Sequence, residues 1–187
     1  MGNHPAGYSM LELLVGLALT ATLTALSTPS FLELRSASQS RESLRAFQTL
    51  MQLARHTAVS HQSPVTVCVV DEDRRCRRQW RGALQALAFI DSDGNREWGE
   101  GETLVQQQTL GGGALRWRAS LGRHYLVFRP SGQTRENGSL YYCPPNGNAR
   151  RAWTLVVNRV GRVYTTRDGD GDGVREDSRG QKLQCPP

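Results

Sequence analysis

The sequence predicts an α+β protein in which a long N-terminal helix packs on an antiparallel β-sheet head. Three observations carry that expectation. From Met10 to Leu26 the chain is apolar with one ionisable side chain, Glu12, over a length close to the ~17 to 25 residues of a membrane-crossing helix. Leu44, Phe47, Leu50, Met51, Ala54 and Ala58 then recur mostly at three- and four-residue steps, which places them on one face of an amphipathic helix. Beyond Ser63 the pattern changes to short β-branched and aromatic runs divided by glycine, proline and asparagine, as strands and turns require.

Within the apolar run Glu12 is the costly residue, because a lone carboxylate in hydrocarbon calls for a cationic partner and marks function. A secretory signal peptide is the alternative, with Ala25-Leu26-Ser27 as its cleavage site. Glu12 inside the apolar region and the lack of Lys or Arg from Met1 to Gly7 speak against it. Pro29 lacks an amide proton and ends or kinks a helix. Ser36 to Ser43 is polar apart from Ala37, and the amphipathic face follows. One helix from about Ser9 to His61 accounts for both halves, and the heptad-like part is too short for a coiled coil.

Eight strands are expected: Val65 to Val70, Leu84 to Ile90, Thr103 to Gln107, Ala114 to Ala119, His124 to Arg129, Ser139 to Cys143, Trp153 to Asn158 and Arg162 to Thr166. A charged loop, Asp71 to Arg81, follows the first, and Gly111 to Gly113 marks a turn. Asn158-Arg159-Val160-Gly161 reads as a tight hairpin connection in which Gly161 is free to take a positive φ. No internal repeat or low-complexity tract is present.

The 187 residues allow one domain of ordinary size beside the apolar helix. Lys and Arg number 23 against 17 Asp and Glu, and Lys182 is the only lysine. Arginine suits bidentate phosphate and carboxylate contacts, so the charge allows a polyanionic partner without requiring one. Cys68, Cys76, Cys143 and Cys185 lack CxxC spacing and matching histidines, which disfavours zinc and suggests two disulfides in an exported head. Among three connectivities the spacing favours Cys68 with Cys76, pinning a short loop, and Cys143 with Cys185, stapling the C-terminal tail to a strand.

Gly7, the aromatic Tyr8, Glu12 five residues after that glycine, and an apolar helix reaching Pro29 resemble the leader and first helix of type IV pilins and type II secretion pseudopilins. Leu126-Val127-Phe128-Arg129-Pro130-Ser131-Gly132, then Gly138, Tyr142-Cys143, Gly161-Arg162-Val163 and Cys185-Pro186, resemble GspH/FimT/FimU-type minor pilins. Tyr8 for Phe, Ser9-Met10 for Thr-Leu and a leader without a basic residue depart from the usual pattern. The resemblance implies the pilin fold, divided as a 1–7 prepilin leader, an 8–28 transmembrane and assembly helix, its 29–61 amphipathic continuation and a 62–187 periplasmic β-rich head. It implies cleavage after Gly7 by prepilin peptidase and methylation of the new Tyr8 amine, which becomes the partner of Glu12. Pro29 gives the helix its bend. The expected location is the inner membrane and then a filament, with other major and minor pilins as partners. Function follows as a minor pilin in type IV pilus assembly or initiation, with extracellular DNA as a further partner, or as a GspH-like minor pseudopilin of a type II secretion system.

Two acidic loops have oxygen ligands at calcium-loop spacing. In the first, Asp91, Asp93, Asn95 and Glu102 hold positions one, three, five and twelve, with Arg96 where glycine belongs. In the second, Asp168, Asp170 and Asp172 precede Gly173, with Arg179 at position twelve and Glu176 and Asp177 in reach. Ca²⁺ is the cation for either, and a solvated acidic turn is the plainer alternative; no cofactor is required. Arginines form two groups: Arg74, Arg75, Arg77, Arg78 and Arg81 beside Trp80, and Arg150, Arg151, Arg159, Arg162 and Arg167 near the last hairpin. The second group resembles that of DNA-binding FimT-type pilins at Gly161-Arg162, with Tyr164 standing where those have a further arginine. It is the DNA candidate, through phosphate contacts and stacking on Tyr164. His4, His56, His61 and His124 form no arrangement of nucleophile, base and acid, so no enzymatic activity is expected.

Overall fold

A computed structural model describes residues 9–80, 85–109 and 112–185, with the side chains of residues 25–30, 32 and 121 left undescribed. Gly7 and Tyr8, and with them the cleavage and methylation sites, lie outside the described residues, as does the side chain of Pro29. The chain divides into two compact units, Met1–Ser38 and Gln39–Pro187.

Helix α1, Met10–Ser60, runs through both. From Met10 to Leu23 its apolar side chains are exposed, Met10, Leu11, Leu13, Leu17, Leu19 and Leu23 among them. Three threonines here turn their hydroxyls back onto the helix: Thr20, Thr22 and Thr24 donate to carbonyls three and four residues earlier at 2.9–3.1 Å. The stretch therefore presents little unsatisfied polarity besides Glu12. Among the described residues no helix is long and apolar enough to cross a membrane. The described apolar side chains run from Met10 to Thr24, short of the ~17 residues a crossing needs, while the expected span at 8–28 reaches beyond them.

In the second unit two antiparallel four-stranded sheets share the helix. The first has the order β3-β2-β1-β5, with β1 Val65–Val70, β2 Gln85–Ile90, β3 Thr103–Thr109 and β5 Tyr125–Phe128. The second has the order β4-β6-β7-β8, with β4 Ala114–Ala119, β6 Gly138–Cys143, β7 Trp153–Val157 and β8 Val163–Thr165. The expected strands are all present, and β3 continues two residues further than expected.

One apolar cluster joins the three layers. It holds Phe47, Leu50, Met51, Ala54 and Ala58 of α1, Val65, Val67 and Val69 of β1, and Leu140, Tyr142, Trp153, Leu155 and Val157 of the second sheet. Trp153 stacks on Tyr142 with ring centroids 5.0 Å apart and meets Phe47 at 6.1 Å. Its indole N–H donates to Ser43 Oγ at 3.3 Å, so the one polar atom of the ring is satisfied by the helix. The alternation of β1 sends Cys68 and Val70 to the opposite face, where they pack with Leu87, Phe89 and Tyr125 in a second, smaller core. The bonds Cys68–Cys76 and Cys143–Cys185 both form, in the expected pairing.

Arg55 ties the helix to two loops at once. Its guanidinium donates to Gly132 O at 3.0 Å and Val160 O at 3.3 Å. Gly132 closes the turn after Pro130, its N–H donating to Arg129 O at 2.7 Å, as a proline in the second position of a turn favours. Gly161, at φ +75°, closes the β7–β8 connection through its N–H to Asn158 O at 2.9 Å. A Cβ on Gly161 would lie 1.9 Å from Gly132 O, so backbone conformation and close approach both demand glycine there. Gly161→Ala is expected to destabilise the head by more than ~1 kcal/mol. Urea unfolding followed by tryptophan fluorescence measures it, and an unchanged midpoint contradicts the account.

Candidate assembly and anion-binding sites

Glu12 sits in the first turn of α1, three residues after Ser9. Its N–H donates to Ser9 Oγ at 3.2 Å, so Ser9 is the helix N-cap and Ser9-Met10-Leu11-Glu12 has the sequence of a capping box. The carboxylate is exposed, and it lies at the positive end of the helix dipole, where negative charge is favoured. Position therefore gives Glu12 a local helix-starting role that the sequence reading left out, beside the role of a partner for an amine.

The six residues expected to form one DNA-binding group are divided between the two ends of the β7–β8 ribbon. Arg159, Arg162 and Tyr164 belong to the hairpin end and are exposed. Arg162 lies over the Tyr164 ring, 5.7 Å from its centroid, so that face of the ring already carries a cation. Arg150 and Arg151 precede β7 in a 3-10 turn, and Thr166 N–H bonds Thr154 O, which returns Arg167 to the same end. The five residues of β7 separate these ends by roughly 16 Å at ~3.3 Å per residue. Arg150 lies against Gly173, and Glu176 N–H bonds Arg167 O, so this end is beside carboxylates that offset its charge.

Those carboxylates belong to the second acidic loop. Asp168 accepts from Gly171 and Gly173 N–H, both at 2.8 Å, and Gly169 N–H donates to Glu176 at 2.8 Å. Asp168, Asp170 and Glu176 converge closely enough to share an ion, whereas Asp177 faces Arg179 and Gln181 N–H instead. The chain supplies its own cation: Lys182 Nζ lies 2.8 Å from Asp170 and 2.5 Å from Asp172. The hydrogen bond from Lys182 holds both carboxyls below the usual carboxylate range, and the two aspartates hold the ammonium above the usual lysine range. The signal was in the sequence, as a single lysine ten residues after Asp172.

The first acidic loop is arranged differently. Asp91 is 1 % exposed, and its Oδ2 accepts from Thr66 Oγ1 at 2.6 Å. Asp91, Asp93 and Glu102 converge, while Asn95 turns its amide onto Asp93 at 2.7 Å. Arg96 takes φ +68° in place of the expected glycine, with its guanidinium 5.3 Å above Tyr125. Burial, with Asp91 and Asp93 nearby, raises the Glu102 carboxyl above its ordinary range against the N–H of Gly99.

The other arginine group gains members that lie far from it in sequence. Arg78 and Trp80 face Arg116, Trp117, Arg118 and Arg123 across a cleft of about 390 Å³. Trp80 is 3 % exposed, stacks on Trp117 at 5.5 Å and donates its indole N–H to His124 O at 2.8 Å. Burial and then Arg78 lower the His124 pKa, with Arg123 adding to this and Glu97 opposing it.

The head is thus an α+β arrangement, a helix on two antiparallel sheets. The family described as type II transport protein GspH matches residues 43–161, and the chain belongs to it. Among solved structures it is similar to the type IV minor pilin FimU of Pseudomonas aeruginosa, at 14% identity over 70% of this chain and 91% of that one, TM-score 0.47. It is also similar to the minor pseudopilin EpsH of the type 2 secretion system of Vibrio cholerae, at 16% identity over 71% of this chain and 99% of that one, TM-score 0.48. No curated protein matches the chain.

Lys182→Ala is expected to raise the carboxyl pKa values of both Asp170 and Asp172. Their depressed values imply a loop contribution that is present above the ordinary carboxylate pKa and lost as pH falls through the depressed ones. Carboxyl-carbon NMR titration of the wild type and the variant reads both effects, and identical titration curves contradict the ion-pair account.

Proposed function

We propose that the chain is a minor pilin that enters a type IV pilus through its N-terminal helix and contributes to assembly or initiation of the filament. The observation that carries this reading is the helix from Met10. From Met10 to Thr24 it exposes apolar side chains, satisfies its threonine hydroxyls internally and retains one carboxylate, while the same helix continues as a central layer of the head. Cleavage after Gly7 places the Tyr8 amine near Glu12, and in a bilayer or a filament core that pairing removes the cost of a lone charge. Gly16, Ala18 and Ala21 supply the small side chains that close helix approach uses. The inner membrane holds the subunit before assembly, and neighbouring pilins hold it afterwards.

The description of the family favours a second reading, a GspH-like minor pseudopilin of a type II secretion system. Both readings use the anchor in the same way and differ in the machinery around it.

DNA binding is reduced to Arg159, Arg162 and Tyr164, since the structure divides the original group. Sequence-independent phosphate contact is the chemistry these exposed residues offer. Gel shifts of the full chain in detergent at two salt concentrations test it. Weakening both by higher salt and by Arg159→Ala with Arg162→Ala is expected, and binding indifferent to both sinks the idea.

Glu12→Ala is expected to leave the head folded, by its circular dichroism, and to deplete the subunit from sheared filaments several-fold. Normal incorporation removes the main physical support for the anchor.

A further inference from the structure

We infer that the cleft along β4 binds an extended acidic peptide segment of a partner protein, which adds to the free edge of the second sheet. β4 is the edge strand of the order β4-β6-β7-β8, paired to β6 along its whole length from Ala114↔Cys143 to Ala119↔Gly138. Its other side carries no strand among the described residues, and an edge strand offers its outward N–H and C=O groups for pairing with another chain. Arg116 to Ala119 of this strand line the cleft consecutively, which makes backbone and side chains available to the same occupant.

Charge decides which occupant. Arg78, Arg116, Arg118 and Arg123 line one cleft, and among the described residues the only salt bridges are those of Lys182. Two of these guanidiniums are steadied by aromatic faces, Arg118 over Tyr141 and Arg123 over Tyr125, each at 6.0 Å. Cations on an exposed edge repel another basic strand and so protect against self-association in a chain of net charge +6. The same cations select a strand with carboxylates at alternate positions, on the side-chain period of an added strand.

A nucleic acid fits the cleft less well. Trp80 is buried beneath its stack with Trp117 and the His124 carbonyl, so its ring is not a free platform for a base. The inference rests on the head alone and holds for a pilus or a secretion filament.

The test uses the full chain in detergent and the intrinsic tryptophan fluorescence of the cleft, with a synthetic alternating Glu-Val peptide as probe. Saturable binding to the wild type is expected, with at least tenfold loss in Arg116→Glu with Arg118→Glu, both exposed positions that leave the core untouched. Transfer of preference to a Lys-Val peptide in that variant is expected too, and Arg159→Ala with Arg162→Ala leaves the affinity unchanged. A Glu-Val peptide N-methylated at alternate residues is expected to lose binding, because strand addition needs its main-chain donors. Absence of binding, undiminished binding to the reversed-charge variant or undiminished binding of the N-methylated peptide overturns the proposal. Displacement of the bound peptide by equimolar oligothymidylate or inorganic phosphate does so as well, since it marks a general anion site.

Discussion

The structure depends on one shared layer. The face of α1 that carries Phe47, Leu50, Met51, Ala54 and Ala58 is buried by residues of both sheets at once, so neither sheet closes its inner face without the helix. Burying a large apolar side chain contributes ~1.5 to 3 kcal/mol, and Phe47, Leu50 and Met51, with Ala54 and Ala58 allowing close approach, make this stretch the centre of the head. Because the same helix begins in the exposed apolar run, the part that assembles and the part that folds are continuous backbone.

Around that layer, long-range polar contacts fix what apolar packing leaves free. Packing is tolerant of small rotations, whereas Arg55 reaches two named carbonyls on loops 77 and 105 residues away. The turn after Pro130 and the Asn158–Arg162 hairpin are thereby held against each other at a glycine–glycine contact. Gly132 and Gly161 therefore form one structural unit although they lie in different turns.

What was legible in the sequence followed from periodicity and spacing. The helix face, the strands, the hairpin at Gly161 and the Cys68–Cys76 bond are local or short-period signals, and each is found where the pattern put it. The arginine groups were not legible, because neighbours in sequence need not share an end of a strand. Arg150 and Arg162 are separated by the length of β7, while Arg78 and Arg118, with β2 and β3 between them in the chain, line one cleft. Ser9 illustrates another limit: the same four residues carry both a charge in an apolar run and a capping pattern.

The internal ion pair of the second acidic loop has a consequence for covalent chemistry. Lys182 is the sole lysine, and its ammonium is held protonated by Asp170 and Asp172. An amine acylates only through its free base, and the carboxylates 2.8 and 2.5 Å from Lys182 Nζ favour the charged form instead. The remaining basic surface is guanidinium, inert to acylation under mild conditions.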